Sequence, residues 1–307
     1  MTDQPPPAPS TPRGTSTPPG TPTRPGPPPP ARGPRADAVA GVVLLALLTA
    51  VAVVAVGLSR GGGPGGAAPD DTDGGAPDTA VVDAPHRGLS ALDGAGYAVW
   101  DRNDDGLPIR WDPCSDVEVV VSPAGAPEGA RDDLDEAIAR LAARTGLSIR
   151  VVGDTEERPA ADRSAFQPER YGDGRWAPVL VAWAEPHERG VPLRDIDRGL
   201  AVPVAVGAPG ARVVVTGQVV LNVGRDDLRP GFDDRADSWG ATLLHELAHL
   251  VGLAHVDDPD ELMSVHPGTG PIAFGPGDRA GLAAVGAEHG CLVVPEPRHV
   301  DVAGPRD

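Results

Sequence analysis

The sequence predicts an α/β (α+β) domain of about 210 residues, residues 85–294, carried behind a single membrane-spanning helix. Three observations predict it. Short Val-rich runs are interspersed with three stretches of helical pattern between residues 116 and 290. An uncharged apolar run of 22 residues, Ala38 to Ser59, precedes them. Between run and domain the chain is Gly-, Pro- and Asp-rich, which is linker material.

Taken in order, residues 1–37 form a Pro-rich tail. Residues 1–36 hold 14 of the 37 prolines, with Gly, Ser and Thr filling most of the rest. Such a stretch cannot bury enough apolar surface to offset the entropy of ordering, so it is expected to be disordered. A tail that binds SH3-like partners through its Pro-rich runs is the alternative use. Residues 38–58, with the core VVLLALLTAVAVVAVGL, are long enough for a transmembrane helix. A cleaved signal peptide competes, but its apolar region is usually only about 7–15 residues. Arg13, Arg24, Arg32 and Arg35 precede the run; Arg60 alone follows closely, before Asp70, Asp71 and Asp73. That bias places the N-terminus in the cytoplasm and the domain outside the cell. Residues 59–84 then read as a flexible acidic linker, and 295–307 as a C-terminal tail.

Within the domain, Asp116–Ser122 alternates with Val117, Val119 and Val121 on one face, as a strand does. Pro127–Arg144 has helical spacing, with Ala130, Leu134, Ile138 and Leu141 on one face and Gly146 as a stop. Leu147–Val152, Val179–Ala184, Ala201–Val206 and Val213–Val223 read as further strands, the last broken at Thr216–Gly217. A long helix is expected from Asp234 to Leu253, and a short one starting near Asp278, which could cap it. The order is β-α-β-β-β-β-α-α.

Charge narrows the function classes. The net charge is −18, and residues 1–37 contribute +2, so the rest carries −20. A basic groove for nucleic acid is not expected on such a body.

The chemistry concentrates in residues 245–255, HELAHLVGLAH. His245 and His249 are four apart, so on a helix both imidazoles share one face and can reach one metal. Glu246 can take a proton from a water without occupying the metal. Gly252 can end the helix and turn the chain, bringing His255 back. Three neutral His ligands leaving one open position suit catalytic zinc.

This segment resembles the metzincin clan of zinc proteases, whose signature is H-E-x-x-H-x-x-G-x-x-H followed by a methionine turn. Met263, in DPDELMSV, fits that turn, and HVDDPDELM is similar to the matrixin, or matrix metalloprotease, subgroup. The resemblance implies a twisted, mostly parallel five-stranded sheet, an active-site helix and a C-terminal helix. It implies one catalytic zinc on His245, His249 and His255, Glu246 as general base, and Met263 as an apolar floor. It further implies peptide-bond hydrolysis of a polypeptide bound along an edge strand within 199–222. A zinc-stabilised binding module without turnover is the alternative. Departures are plain: Ser264, Val265, His266 and Pro267 follow Met263 in place of the Tyr-Pro common in matrixins, and no cysteine-switch propeptide is visible.

The two cysteines, Cys114 and Cys291, flank the folded region, and in an oxidising compartment they are expected to pair. The rival is Cys114, in WDPCSD, as a zinc-blocking switch. Asp101, Asn103, Asp105 and Gly106 resemble the start of a calcium loop, but its twelfth position is Asp112 instead of Glu and no helix flanks it. A tight turn is the competing reading. His266 is read as a solvated loop residue or a substrate contact. His86, His187, His289 and His299 show no ligand spacing.

Overall fold

The computed structural model describes residues 90–300 apart from 189, 192, 233–236 and 267–271. The expected tail 1–37, membrane helix 38–58 and linker 59–84 lie outside the described residues, as does His86. Among the described residues no helix is long and apolar enough to cross a membrane.

In chain order the elements are β1 (Ala98–Val99), β2 (Val117–Ser122), α1 (Ala130–Thr145), β3 (Ile149–Asp154), the one-turn helix α2 (Pro168–Tyr171), β4 (Val179–Ala184), β5 (Gly199–Ala208), β6 (Ala211–Asn222), α3 (Trp239–Val251), β7 (Leu253–Ala254) and α4 (Pro276–Val285). A 3-10 turn at Ala287–His289 follows. The main sheet has the order β3-β2-β4-β6-β5. β3, β2, β4 and β6 run parallel, and β5 is an antiparallel edge strand on β6. This is the mixed α/β, mostly parallel five-stranded sheet that was expected. β4 is buried along its whole length, so its sequence, VLVAWA, is a continuous apolar run with no alternation.

One face of the sheet carries α1 and α3. Val119, Val181, Val219 and Leu221 pack there with Leu134 and Leu141 of α1 and Leu243, Leu247 and Leu250 of α3. Irregular chain covers the other face. Leu200, Val202, Val204 and Val220 lie under Ala165, Leu193 and Trp176, and Val206, Val213 and Val215 lie under Leu292, Val294 and Val300. The segment after Cys291 therefore packs on the domain, and Trp176 donates its indole N–H to the Pro295 carbonyl at 3.0 Å.

Several boundaries differ from expectation for identifiable reasons. β6 runs unbroken through Thr216 and Gly217. Gly217 is demanded by packing: a Cβ there would lie 2.7 Å from Leu250 Cδ1 and 2.8 Å from the Val202 carbonyl oxygen. The irregularity sits one residue earlier, where Val204 pairs with Thr216 but Ala205 with Val214, leaving Val215 as a bulge. α3 begins at Trp239, because Ser238 caps it by accepting from the Ala241 amide at 3.2 Å. α4 begins at Pro276, ahead of Asp278, which sits inside the first turn and accepts from the Gly275 amide at 2.9 Å. β1, β7 and α2 were not expected; the first two pair with each other.

Cys114 and Cys291 form a disulfide, with Cα atoms 5.4 Å apart and a sequence separation of 177. Polar contacts reinforce this clasp. Asp112 accepts from the amides of Cys114 and Leu292, and Arg110, itself buried, donates to the carbonyls of His289 and Gly290.

Candidate metal centre

α3 lies between α1 and the β5–β6 pair, so the helix that carries the motif is held from both sides. Its C-terminal end is set by Gly252, whose φ of 125° is open only to glycine and whose amide returns to the carbonyls of Ala248 and His249. A Cβ at this position would also lie 3.1 Å from Val285 Cγ1 and 3.2 Å from the Ile109 carbonyl oxygen. Beyond the turn, β7 pairs with β1, with Ala254 opposite Ala98. That pairing directs the chain back and delivers His255 to the face that carries His245 and His249.

Hydrogen bonds orient the helix imidazoles. His245 Nδ1 bonds the Leu262 carbonyl and His249 Nδ1 bonds the Leu253 carbonyl, each at 2.8 Å. A carbonyl can only accept, so each Nδ1 carries the proton and each Nε2 is left with a bare lone pair. These two Nε2 atoms lie 3.1 and 3.2 Å from His255 Nε2. A single hydrogen on His255 cannot serve both contacts. Nor does a second proton suit the cluster. Burial, with His255 adding to it, pushes the His245 imidazole down to about 3, and burial drives His249 well below its ordinary value. Three converging imidazole nitrogens, two of them on groups that resist protonation, are a donor set for a cation, and this cluster could hold one. Zn–N bonds of about 2.0–2.1 Å at tetrahedral angles put ligand nitrogens about 3.3–3.4 Å apart, close to the separations seen here.

Glu246 is 6% exposed. Burial raises its carboxyl to about 8, the charge of Asp197 adds to the shift, and the Ala201 amide opposes it. A cation held by the imidazoles of His245, His249 and His255 would draw such a value back down. The side chain lies against the start of β5, where Gly199 makes room for it. A Cβ on Gly199 would sit 2.8 Å from Glu246 Cγ and 3.0 Å from Oε1. The sequence reading missed this glycine; a lone Gly opening a strand is the signal that could have marked a close approach.

Met263 is buried in the main core, and its neighbour Leu262 supplies the carbonyl that orients His245. The turn is tied down twice. Val256 donates to the Met263 carbonyl and Val265 to the Val256 carbonyl. Asp278 accepts from the amides of Leu262 and Met263. Glu261 in turn accepts from the amides of Gly277 and Asp278. This pair of buried carboxyls, absent from the sequence reading of the site, fastens the turn to the N-terminus of α4.

The other candidates lie elsewhere. His266 pairs with Asp257 at 2.7 Å on the surface, and His187 with Asp195. His299 packs edge-on against Phe166. In the calcium-like loop, Asn103 bonds both backbone groups of Arg212, and Asp101 pairs with the Arg212 guanidinium. Asp105 accepts from the Leu107 amide, and Gly106 has φ 80°. The loop is a tight turn held by its own side chains. Asp112 lies beside Cys114 and Cys291, but both sulfurs are committed to the disulfide. Comparison with protein-family models and with curated proteins gives no match.

Proposed function

We propose that this chain is a membrane-anchored extracellular zinc endopeptidase of the metzincin type, matrixin-like in its catalytic domain. The observation that carries the reading is the convergence of three Nε2 atoms from His245, His249 and His255, with the buried carboxyl of Glu246 on the residue that follows His245. Three imidazole ligands and an open position favour zinc over harder cations. Held by His245, His249 and His255, zinc would supply Lewis-acid polarisation of a carbonyl and a lower pKa for a water. Glu246 takes the proton of that water and hands one to the leaving amine. Gly199 lets the carboxyl stand against β5, and Leu262 and Leu253 hold the imidazoles in the tautomer that presents Nε2. The outer edge of β5 receives an extended polypeptide by strand addition. Residues 38–58 anchor the domain, with 59–84 as its tether and 1–37 in the cytoplasm. A binding module without turnover explains the histidines but not Glu246, since a closed structural site needs no buried carboxyl at its rim.

The test is Glu246→Gln, read as zinc stoichiometry beside hydrolysis of a peptide mixture. One zinc per chain should be retained while turnover falls by about 10²–10⁴-fold or more. Near wild-type turnover would refute the mechanism, and loss of zinc would reassign Glu246 to holding the site. Chelator should abolish the wild-type activity, and added zinc should restore it.

A further inference from the structure

β5 ends the sheet, so one row of its backbone groups faces away from β6. Three observations identify that row. The carbonyl of Arg198 accepts from the Asn222 amide at 2.9 Å, so residue 198 turns inward. In a strand the N–H and C=O of one residue share a side, and the side alternates from residue to residue. Leu200, Val202 and Val204 therefore bond β6, while Gly199, Ala201 and Pro203 face out. The Ala201 amide, directed at the Glu246 carboxyl, agrees with this phase. So does the pairing of Pro203 with Gly217, since a proline has no N–H to give a neighbour. A Cβ on Gly217 would lie 3.1 Å from Pro203 Cα, as befits the close approach of a non-bonded pair.

The outward row from Ala201 to Pro203 thus offers two carbonyl acceptors and one N–H, which is already turned to Glu246. Pro203 lies about 7 Å along the strand from Ala201, at ~3.4 Å per residue. A polypeptide strand laid on this edge beside Glu246 must pass it. An antiparallel strand normally exchanges two bonds with each outward residue, one in each direction. At Pro203 only one of them can form.

Building on the endopeptidase reading, we propose that Pro203 is a specificity-determining residue of the substrate edge. It holds the substrate residue opposite it through that residue's backbone N–H alone. A secondary amide is therefore required at that position, proline or an N-alkylated residue is excluded, and the carbonyl of the same residue goes unread. Prolines on edge strands also guard against edge-to-edge association, and the experiment separates the two roles.

The zinc-loaded full-length protein in detergent is first given a tryptic digest of casein, and one peptide it cleaves is resynthesised. Each backbone amide of that peptide is N-methylated in turn, and each carbonyl is replaced in turn by a thioamide, a weaker acceptor. Wild type and Pro203→Ala are compared. In wild type, N-methylation at the residue facing Pro203 should raise KM, and the thioamide at that residue should leave KM unchanged. Pro203→Ala restores a donor and should lower KM for the parent peptide about two- to tenfold, the worth of one hydrogen bond, with kcat within about twofold. The thioamide should cancel that gain. An unmoved KM in a folded, zinc-bearing Pro203→Ala protein would overturn the proposal, and dimerisation with KM unmoved would assign the residue to edge protection. If the variant does not fold, the wild-type scans decide: equal sensitivity to N-methylation and thioamide at every paired position overturns it. If wild type cleaves no peptide at all, the endopeptidase reading fails and this inference with it.

Discussion

Replacing Glu157 by Ala should be among the most damaging single changes outside the histidine cluster. Glu157 and Arg163 form an ion pair with side chains only 8% and 5% exposed. The guanidinium is fully used. Nε and Nη2 donate to the two carboxylate oxygens at 3.0 Å each, Nη2 also reaches the Pro178 carbonyl, and Nη1 reaches Thr216 Oγ1 and the Gly217 carbonyl. The carboxylate also accepts from Tyr171 Oη at 2.6 Å and Gln167 Nε2 at 2.7 Å. Removing the carboxylate leaves a buried cation without its counter-charge and strips two further donors of their acceptor. Breaking such a pair costs about 3–5 kcal/mol. For a domain of this size that is a fall of about 6–20 °C in the melting midpoint. The pair also predicts a pH dependence. Burial pushes the Glu157 carboxyl up, but the Arg163 charge and the hydrogen bonds from Arg163, Tyr171 and Gln167 outweigh it and hold the group below its usual range. The stability it contributes is therefore present above its unfolded value, about 4.3, and lost as pH falls through the folded one. The assay is unfolding followed by circular dichroism on wild type and Glu157→Ala from pH 7 downward. The exposed pair Glu136–Arg140 serves as control, and Glu136→Ala should leave the midpoint in place. A Glu157→Ala protein within about 1 kcal/mol of wild type at pH 7, or a gap that does not narrow in acid, would refute the reasoning.

Three further expectations follow from named contacts. Gly199→Ala drives a methyl into Glu246 and should keep zinc while turnover falls, about a hundredfold for a displacement near 1 Å; unchanged kcat/KM would show that the carboxyl needs no such clearance. The chain-entropy estimate for a 177-residue loop is about 5 kcal/mol, and the Asp112 and Arg110 contacts that survive reduction argue for a smaller loss, about 2–5 kcal/mol, in the Cys114→Ser/Cys291→Ser protein. Wild type under reductant should melt with that variant, and an unmoved midpoint would count against the clasp. Burial and Glu261 raise the Asp278 carboxyl above its usual range against the Gly275 and Leu262 amides, so its contribution is full below its unfolded value, about 3.9, and lost as pH rises through the folded one. The stability of wild type relative to Asp278→Asn should accordingly decline as pH rises through mildly acid values; a difference independent of pH in urea titrations would exclude it.

What could be read from the sequence was what local geometry decides. A spacing of four on a helix aligns His245 with His249 whatever surrounds them, and only glycine accepts the φ of 125° at Gly252 that returns His255. The disulfide was the one pairing that two cysteines allow. Contacts between distant segments carried no such mark. Gly199 meets Glu246 across 47 positions of sequence. Thr216–Gly217 looked like a break in a strand, because a small residue in a Val run reads the same whether the strand stops or something presses on it. The structure shows the pressure: Leu250 of α3 on one side, the Val202–Pro203 backbone of β5 beside it, and Arg163 bonded to the Gly217 carbonyl. These contacts join three readings that were separate in the sequence. The helix that carries His245 and His249 also packs onto the residue opposite Pro203, and the buried Glu157–Arg163 pair holds that residue's carbonyl. The edge strand is thus backed by the same structure that positions the imidazoles. A loosening at Arg163 should therefore be felt along the outer edge of β5 before it is felt at the imidazoles, because β5 has a single strand neighbour and α3 is held by β5, β6 and α1 together.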